Sequence, residues 1–295
     1  MRILIIGGTG MLGHKLVQVL GEHHDVYALC RTSANRLSSL DLLATEKIFG
    51  GIDVRDFDAV RSAITSSGAE VVINAVGIVK QSSAAANILE TIELNTVFPQ
   101  KLAQTAQELG VRVISVSTDC VFDGKAGNYS ETDTPNALDL YGQSKRWGEI
   151  TGPNCLTIRT SIIGRELAGQ HGLIEWFLSK KGTAVEGFTE AIFSGFPTIV
   201  LADIINALVL DQPELSGIYH ISSLPISKYD LLVLAKESFD VDIHIEPSSK
   251  LRIDRSLNSE RFAAVTGFKP ESWPELMKRM VSDPAPYDKW KSIGR

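Results

Sequence analysis

A four-residue apolar run, Ile3 to Ile6, leads straight into Gly7-Gly-Thr-Gly-Met-Leu-Gly13, and no other feature of this chain restricts its fold so tightly. The run is far too short for a membrane span and reads as a strand buried on both faces, as in a parallel sheet. Gly8, Gly10 and Gly13 satisfy G-x-G-x-x-G, and Gly7, Gly10 and Gly13 satisfy the wider G-x-x-G-x-x-G, ahead of an apolar-periodic segment (Leu12, Leu16, Leu20). Strand, glycine turn and helix in that order form the context of dinucleotide binding. The glycines allow a tight turn, close backbone approach to a diphosphate and helix-on-strand packing. The diphosphate belongs at the helix N-terminus, where unpaired N–H groups and the helix dipole favour negative charge. Candidate cofactor contacts are therefore Gly7, Thr9, Gly10, Met11, Leu12 and Gly13; the plainer alternative is a tight turn without a ligand.

The 295 residues are enough for one large α/β domain or a domain with a smaller lobe. A net charge of -6 gives no global attraction for nucleic acid or an anionic membrane, so an anionic ligand needs a local cluster. Cys30, Cys120 and Cys155 have no metal-like spacing, and the expected setting is reducing and cytoplasmic. No signal peptide or membrane span is expected.

Asp25 to Cys30 supplies a second strand, after Gly21 as a helix breaker. At its end an acid would hold a ribose 2′-hydroxyl, whereas an arginine accommodates a 2′-phosphate. Arg31 stands there, which favours NADPH over NADH, with NADH possible; the alternative for Arg31 is a solvated loop charge. Asp53, beside Val54, either hydrogen-bonds an adenine amino group or caps the helix beginning near Asp56. Val71 to Asn74 is the next buried strand, and Asn74, Ala75, Val76 and Gly77 form a small-residue turn that lets a dinucleotide pass. A long helix is expected over about 88–109, with Asn95 inside it, where asparagine is either solvent-facing or tied to a functional site. Val111 to Ser117 is a further strand. The alternation implies a Rossmann-type, doubly wound parallel α/β sheet with ligands at the carboxyl ends of its strands.

Thr118 falls at such a strand end, and Tyr141-Gly-Gln-Ser-Lys145 opens a helical segment. Residues four apart share a helix face, so the phenol and the ammonium point the same way. An adjacent cation favours ionised tyrosine, which makes the pair a tunable proton donor; the alternative is a chance spacing.

Gly7-Gly-Thr-Gly-Met-Leu-Gly13, Ser117-Thr-Asp-Cys-Val-Phe-Asp-Gly124, Tyr141-Gly-Gln-Ser-Lys145 and Gly148-Glu149 together resemble the extended short-chain dehydrogenase/reductase family, within it the dTDP-4-dehydrorhamnose reductase branch. Arg159-Thr-Ser161, Gly195-Phe-Pro-Thr198 with Asp203, and Arg255-Ser-Leu-Asn258 extend the match over most of the chain. The resemblance implies reduction of a 4-keto group on a nucleotide-linked 6-deoxyhexose. Thr118, Tyr141 and Lys145 match the catalytic trio, and Asn95 matches a supporting asparagine near the cofactor. Asp119, Val121, Arg159, Trp176 and Arg255 are candidates for the nucleotide-sugar substrate, with core packing as the alternative for Trp176 and a plain surface charge for Arg255.

The departures are informative too. Related dehydratases carry Thr-Asp-Glu where this chain has Thr118-Asp119-Cys120, so elimination of water is not expected. The rhamnose reductases usually carry tyrosine at Cys120, and their Asn-Ala-Ala-Ala turn is here Asn74 to Gly77, followed by Ile78, Val79 and Lys80. Alternatives of other kinds are a sugar-nucleotide epimerase with retained NAD and a non-catalytic dinucleotide-binding regulatory subunit. Some rhamnose reductases use magnesium, but no acidic ligand set is evident, and no metal site is assigned.

The second half reads as a smaller substrate-binding lobe over 166–295, interleaved with a dinucleotide domain over 1–165. A strand at Gly217 to Ser222 is expected to rejoin the main sheet, Ser227 to cap a helix, and residues 242–246 to form an edge strand. Pro284 and Pro286 mark an irregular tail. A homodimer through the helices near 88–109 and 141–150 is possible.

Overall fold

The computed structural model describes residues 1–78 and 87–293; Val79 and Lys80 lie outside them. Chain order in the first half is β1 (Arg2–Ile6), α1 (Gly13–Gly21), β2 (Asp25–Cys30), α2 (Asn35–Ser38), β3 (Ile48–Gly50), α3 (Phe57–Ser67), β4 (Val71–Asn74), α4 (Ile88–Ile92), α5 (Phe98–Leu109), β5 (Arg112–Thr118), α6 (Leu140–Trp147) and β6 (Cys155–Thr160). After it come β7 (Ile162–Ile163), α7 (Leu173–Leu178), β8 (Ala184–Phe188), β9 (Ala191–Phe193), β10 (Phe196–Pro197), α8 (Thr198–Asp211), β11 (Gly217–His220), β12 (Ile226–Ser227), α9 (Lys228–Phe239), β13 (His244–Ser248), β14 (Ile253–Asp254), α10 (Glu260–Thr266), α11 (Trp273–Val281) and α12 (Tyr287–Ile293).

Seven strands form one parallel sheet in the order β11-β6-β5-β4-β1-β2-β3. Strand β1 shows why it is buried on both faces. Ile3 and Ile5 pack into a core layer with α1 and α8, while Leu4 and Ile6 pack into the opposite layer with α3 and α5. The order reverses between β1 and β4, and that switch point opens a crevice at the strands' carboxyl ends. Ile6 lies opposite Asn74 in β4 and Leu29 in β2, so the glycine turn and the turn after Asn74 leave the sheet side by side.

The second half returns to the sheet: β11 pairs with β6 and forms the sheet's edge, and α8 packs beside α1 on the same face. Between these returns, β8 pairs with β13, and β9 lies between β12 and β14. Ser227 caps α9 by accepting the Asp230 N–H, and His244 is exposed at the start of β13.

Three local expectations need correction. The stretch before Gly51, which reads as helical in sequence, ends in β3, a three-residue strand too short to declare a period. The helix over 88–109 is interrupted by a π-helical turn, Glu93–Val97, centred on Asn95. The tail is not irregular: α12 follows Pro286, and Tyr287 and Trp290 are buried against α1.

Candidate active site

Gly7 follows β1 with φ +91°, and its N–H donates to the Leu29 carbonyl at 2.9 Å. A Cβ on Gly7 would lie 2.9 Å from Val76 Cγ2, and one on Gly13 would overlap the Gly7 carbonyl oxygen. A side chain at Gly13 would lift α1 off the turn and one at Gly7 would press on Ala75 and Val76, so the cradle is built for backbone alone. That closeness, beside the open end of a helix, fits a dinucleotide diphosphate. Gly10 is exposed, Thr9 and Met11 are partly buried, and Leu12, 4% exposed, packs into the core and offers only its main chain.

Arg31 is exposed just beyond β2. The Asp53 carboxylate is engaged by Arg55, accepting from its main-chain N–H and Nε, both at 2.9 Å, and from Nη2 at 2.6 Å. Those bonds hold its pKa down at about 2, with a smaller contribution from the Arg31 charge. The capping alternative for Asp53 is overturned, because Asp56 caps α3 by accepting the Ala59 N–H at 3.1 Å. Val54 is buried in the core. Asn74 is also buried: it bonds Ser115 Oγ at 3.3 Å and accepts the Val76 N–H at 3.0 Å. Its side chain therefore shapes the turn of Ala75, Val76 and Gly77 instead of facing the crevice.

The proton-transfer groups converge from two elements. Asp139 caps α6 by accepting the Gly142 N–H, and a Cβ on Gly142 would overlap the Cys120 carbonyl oxygen. This approach sets Tyr141 against the end of β5. The Thr118 hydroxyl accepts the Cys120 N–H at 3.1 Å and donates to Asp119 Oδ1 at 3.1 Å. Lys145 donates to the Val116 carbonyl at 2.8 Å.

Burial pushes the Tyr141 phenol up, Cys120 and Asp119 reinforce it, and the Thr118 hydroxyl works against it. This corrects the expectation of a phenol drawn toward ionisation by its lysine neighbour: the surroundings keep the proton on. Burial lowers Lys145 to about 8, opposed by the charge of Glu149. The Cys120 thiol is pushed up to about 12, first by burial and then by Asp119, which leaves it neutral beside the phenol.

Asn95 is 1% exposed and supports the site from behind. It donates to the Ile78 carbonyl and Ser144 Oγ, both at 3.2 Å, and accepts the Ile78 N–H at 2.9 Å. The mid-helix asparagine thus sits on a π turn and ties α6 to the chain leaving β4, without facing the crevice itself. π turns recur at functional sites.

The substrate candidates divide. Asp119 is buried against Thr118, and Arg255 comes to the Cys120 side, donating Nε to the Phe122 carbonyl at 2.8 Å. Trp176 is partly buried on α7 against the main core. Two expectations are overturned. Val121 has no exposed surface and packs with Phe122, Tyr129 and Leu257. Arg159, 4% exposed, points into the protein, where it forks onto both oxygens of Glu149 at 2.7 Å and approaches His220 Nε2 at 3.1 Å. Glu149 also accepts from Ser117 Oγ at 2.8 Å. Gly148-Glu149 stood in the sequence motif with no role assigned to Glu149, and His220 gave no local sign.

Among the described residues no group of three or more His, Cys, Asp or Glu side chains is placed to hold a metal ion. No described helix is long and apolar enough to cross a membrane.

Comparison with known proteins agrees with this geometry. The family model described as RmlD substrate binding domain matches residues 1–285. A dTDP-4-dehydrorhamnose reductase of Aggregatibacter actinomycetemcomitans is 29% identical over 79% of this chain and 77% of its own length. Methionine adenosyltransferase 2 subunit beta of Xenopus tropicalis is 27% identical over 85% of this chain and 74% of its own length. Among solved structures, a hypothetical dTDP-4-dehydrorhamnose reductase from Sulfolobus tokodaii superposes with a TM-score of 0.77 at 26% identity, covering 92% of this chain and 98% of that one. A dTDP-4-dehydrorhamnose reductase from Bacillus anthracis, solved in complex with NADP, shares the fold with a TM-score of 0.78 at 22% identity, covering 96% and 99%. The chain therefore belongs to the RmlD substrate binding domain family, the dTDP-4-dehydrorhamnose reductase-like group of extended short-chain dehydrogenases/reductases.

Proposed function

We propose that this protein is an NADPH-dependent reductase of a nucleotide-linked 4-keto-6-deoxyhexose. The observation that carries the reading is the meeting of Thr118, Tyr141 and Lys145 at the end of β5, next to a glycine cradle that a single Cβ would fill. Relatives named dTDP-4-dehydrorhamnose reductase support it, as does the NADP complex of one structural neighbour.

The Gly7–Gly13 turn would hold the diphosphate, and Arg31 would meet the 2′-phosphate. When bound, the dinucleotide supplies a hydride. Tyr141 keeps its proton through the neutral range and releases it to the oxygen of the reduced carbonyl. Thr118 rotates its hydroxyl off Asp119 to hydrogen-bond the same oxygen, still anchored by the Cys120 N–H. Lys145 spends one proton on Val116 and has two N–H groups left for ribose hydroxyls. Arg255 is the cation on the Cys120 side for the substrate diphosphate, suited by its planar fork.

NADPH consumption by purified protein, offered dTDP- and UDP-linked 4-keto-6-deoxyhexoses side by side, tests the reading. Consumption with one donor supports it and names the nucleotide; tight NADPH binding with no consumption of either counts against it. The methionine adenosyltransferase beta relatives favour a second reading, a non-catalytic regulatory subunit. Activation of a copurifying enzyme without any sugar would support that one.

A further inference from the structure

The C-terminal tail reaches across the molecule to the glycine turn. Asp283 forms an ion pair with Lys15, whose side chain is 1% exposed on α1. Lys291 pairs with Glu175 of α7, which also binds Arg165 at 2.6 Å. Between these two anchors the Tyr287 ring lies under two cations, with Lys15 Nζ 5.1 Å and Arg165 Cζ 4.9 Å from its centroid.

The central contact runs through His14. Its Nδ1 is 2.8 Å from the Gly10 carbonyl oxygen and its Nε2 is 2.9 Å from the Tyr287 hydroxyl. A carbonyl only accepts, so Nδ1 carries the proton. Burial lowers the imidazole to about 4, so the ring is neutral and Nε2 must accept from the Tyr287 O–H. The result is a directed chain: Tyr287 donates to His14, and His14 donates to Gly10. The Gly10 carbonyl, which also accepts the His14 main-chain N–H at 3.1 Å, belongs to the same peptide plane as the Met11 N–H, at the open end of α1. A hydrogen bond on that carbonyl fixes the plane and polarises its N–H. The Met11 side chain is held as well, because its terminal methyl packs against Gly172, whose N–H is taken by Glu166.

We propose that residues 283–293 form a latch that holds the Gly10–Met11 peptide in its dinucleotide-binding orientation, with His14 and Tyr287 as positioning residues. The proposal rests on the reading that this turn takes the dinucleotide diphosphate. It assigns the tail a part in cofactor affinity.

The test is the NADPH dissociation constant, read by cofactor fluorescence, for wild type, Tyr287→Phe and a chain ending at Pro286. Tyr287→Phe keeps the ring between its two cations and removes the hydroxyl's buried hydrogen bond to His14, together with its longer 3.4 Å contact to Asp283 Oδ2. Such a bond corresponds to a rise in Kd of roughly 3- to 10-fold, with kcat at saturating NADPH within about twofold of wild type. The shortened chain should lose more affinity. Phe262→Leu, a core change in α10 remote from the turn, controls for general destabilisation and should leave Kd unchanged. A Tyr287→Phe Kd equal to wild type, or one that rises no more than in Phe262→Leu, overturns the latch alone. A wild-type protein that binds neither NADPH nor NADH overturns the dinucleotide reading and the latch with it.

Discussion

Replacing Glu149 with alanine should cost more stability than any exposed charge deletion in this protein. Glu149 and Arg159 have side chains 5% exposed each and make two bonds at 2.7 Å. Without the carboxylate, the guanidinium stays buried 5.4 Å from the Phe122 ring centre, beside a neutral His220, with no counter-charge. His220 cannot replace the carboxylate, since an imidazole is only ever neutral or positive; burial and the Arg159 charge lower it to about 4 and keep it neutral. Breaking a buried pair by removing one partner costs about 3–5 kcal/mol, a large part of the ~5–15 kcal/mol that stabilises a typical domain. Urea unfolding followed by circular dichroism and tryptophan fluorescence measures the loss, provided the two transitions coincide. The double variant Glu149→Leu/Arg159→Met should recover most of it, because an apolar pair avoids desolvating two charges. Glu108→Ala, which removes an exposed partner of Arg61, should leave the midpoint in place. A loss below about 1 kcal/mol for Glu149→Ala would show the pair behaving as a surface ion pair. A double variant as unstable as the single one would refute the argument that the stranded charge is what costs.

Two further outcomes follow from the site. Lys145 at about 8 must be charged to bind ribose hydroxyls strongly, so kcat/KM should fall as pH rises through about 8. Glu149 raises that pKa, so Glu149→Gln should move the falling limb to lower pH. Lys145→Arg should abolish the limb at any residual rate, and an unmoved limb in both variants would assign it to another group. Gly13→Ala should abolish NADPH binding, because its methyl meets only the backbone of Gly7 and Gly8, with no flexible side chain to give way. Gly21→Ala, at the end of the same helix with nothing within 4 Å, should bind normally, and equal binding by the two variants would remove the cradle from the account.

The parts of the fold visible in sequence are those set by local pattern. An apolar run buried on both faces, a glycine turn and a helical period stand within residues 3–20, so β1, the turn and α1 declare themselves. Side-chain direction does not. Arg159 and Val121 belong to recognisable motifs, yet Arg159 turns inward onto Glu149, and Val121 closes a small cluster with Phe122. Strand β3 has three residues, too few for a period of two to show. The π turn at Asn95 arises from bonds to Ile78 and Ser144, which lie 17 and 49 residues away. The tail illustrates the same limit. Pro284 and Pro286 read as breakers, although proline is also tolerated where a helix begins. What orders the segment is the pairing of Lys15 with Asp283, 268 residues apart, and no local reading reaches that far.

The most direct test of the central claim compares wild type with Tyr141→Phe in reduction of a nucleotide-linked 4-keto-6-deoxyhexose, with NADPH Kd measured for both. Loss of the proton donor should slow turnover about a hundred- to ten-thousand-fold while Kd stays within about twofold. A Tyr141→Phe enzyme that keeps more than about a tenth of the wild-type rate would contradict the role assigned to the phenol.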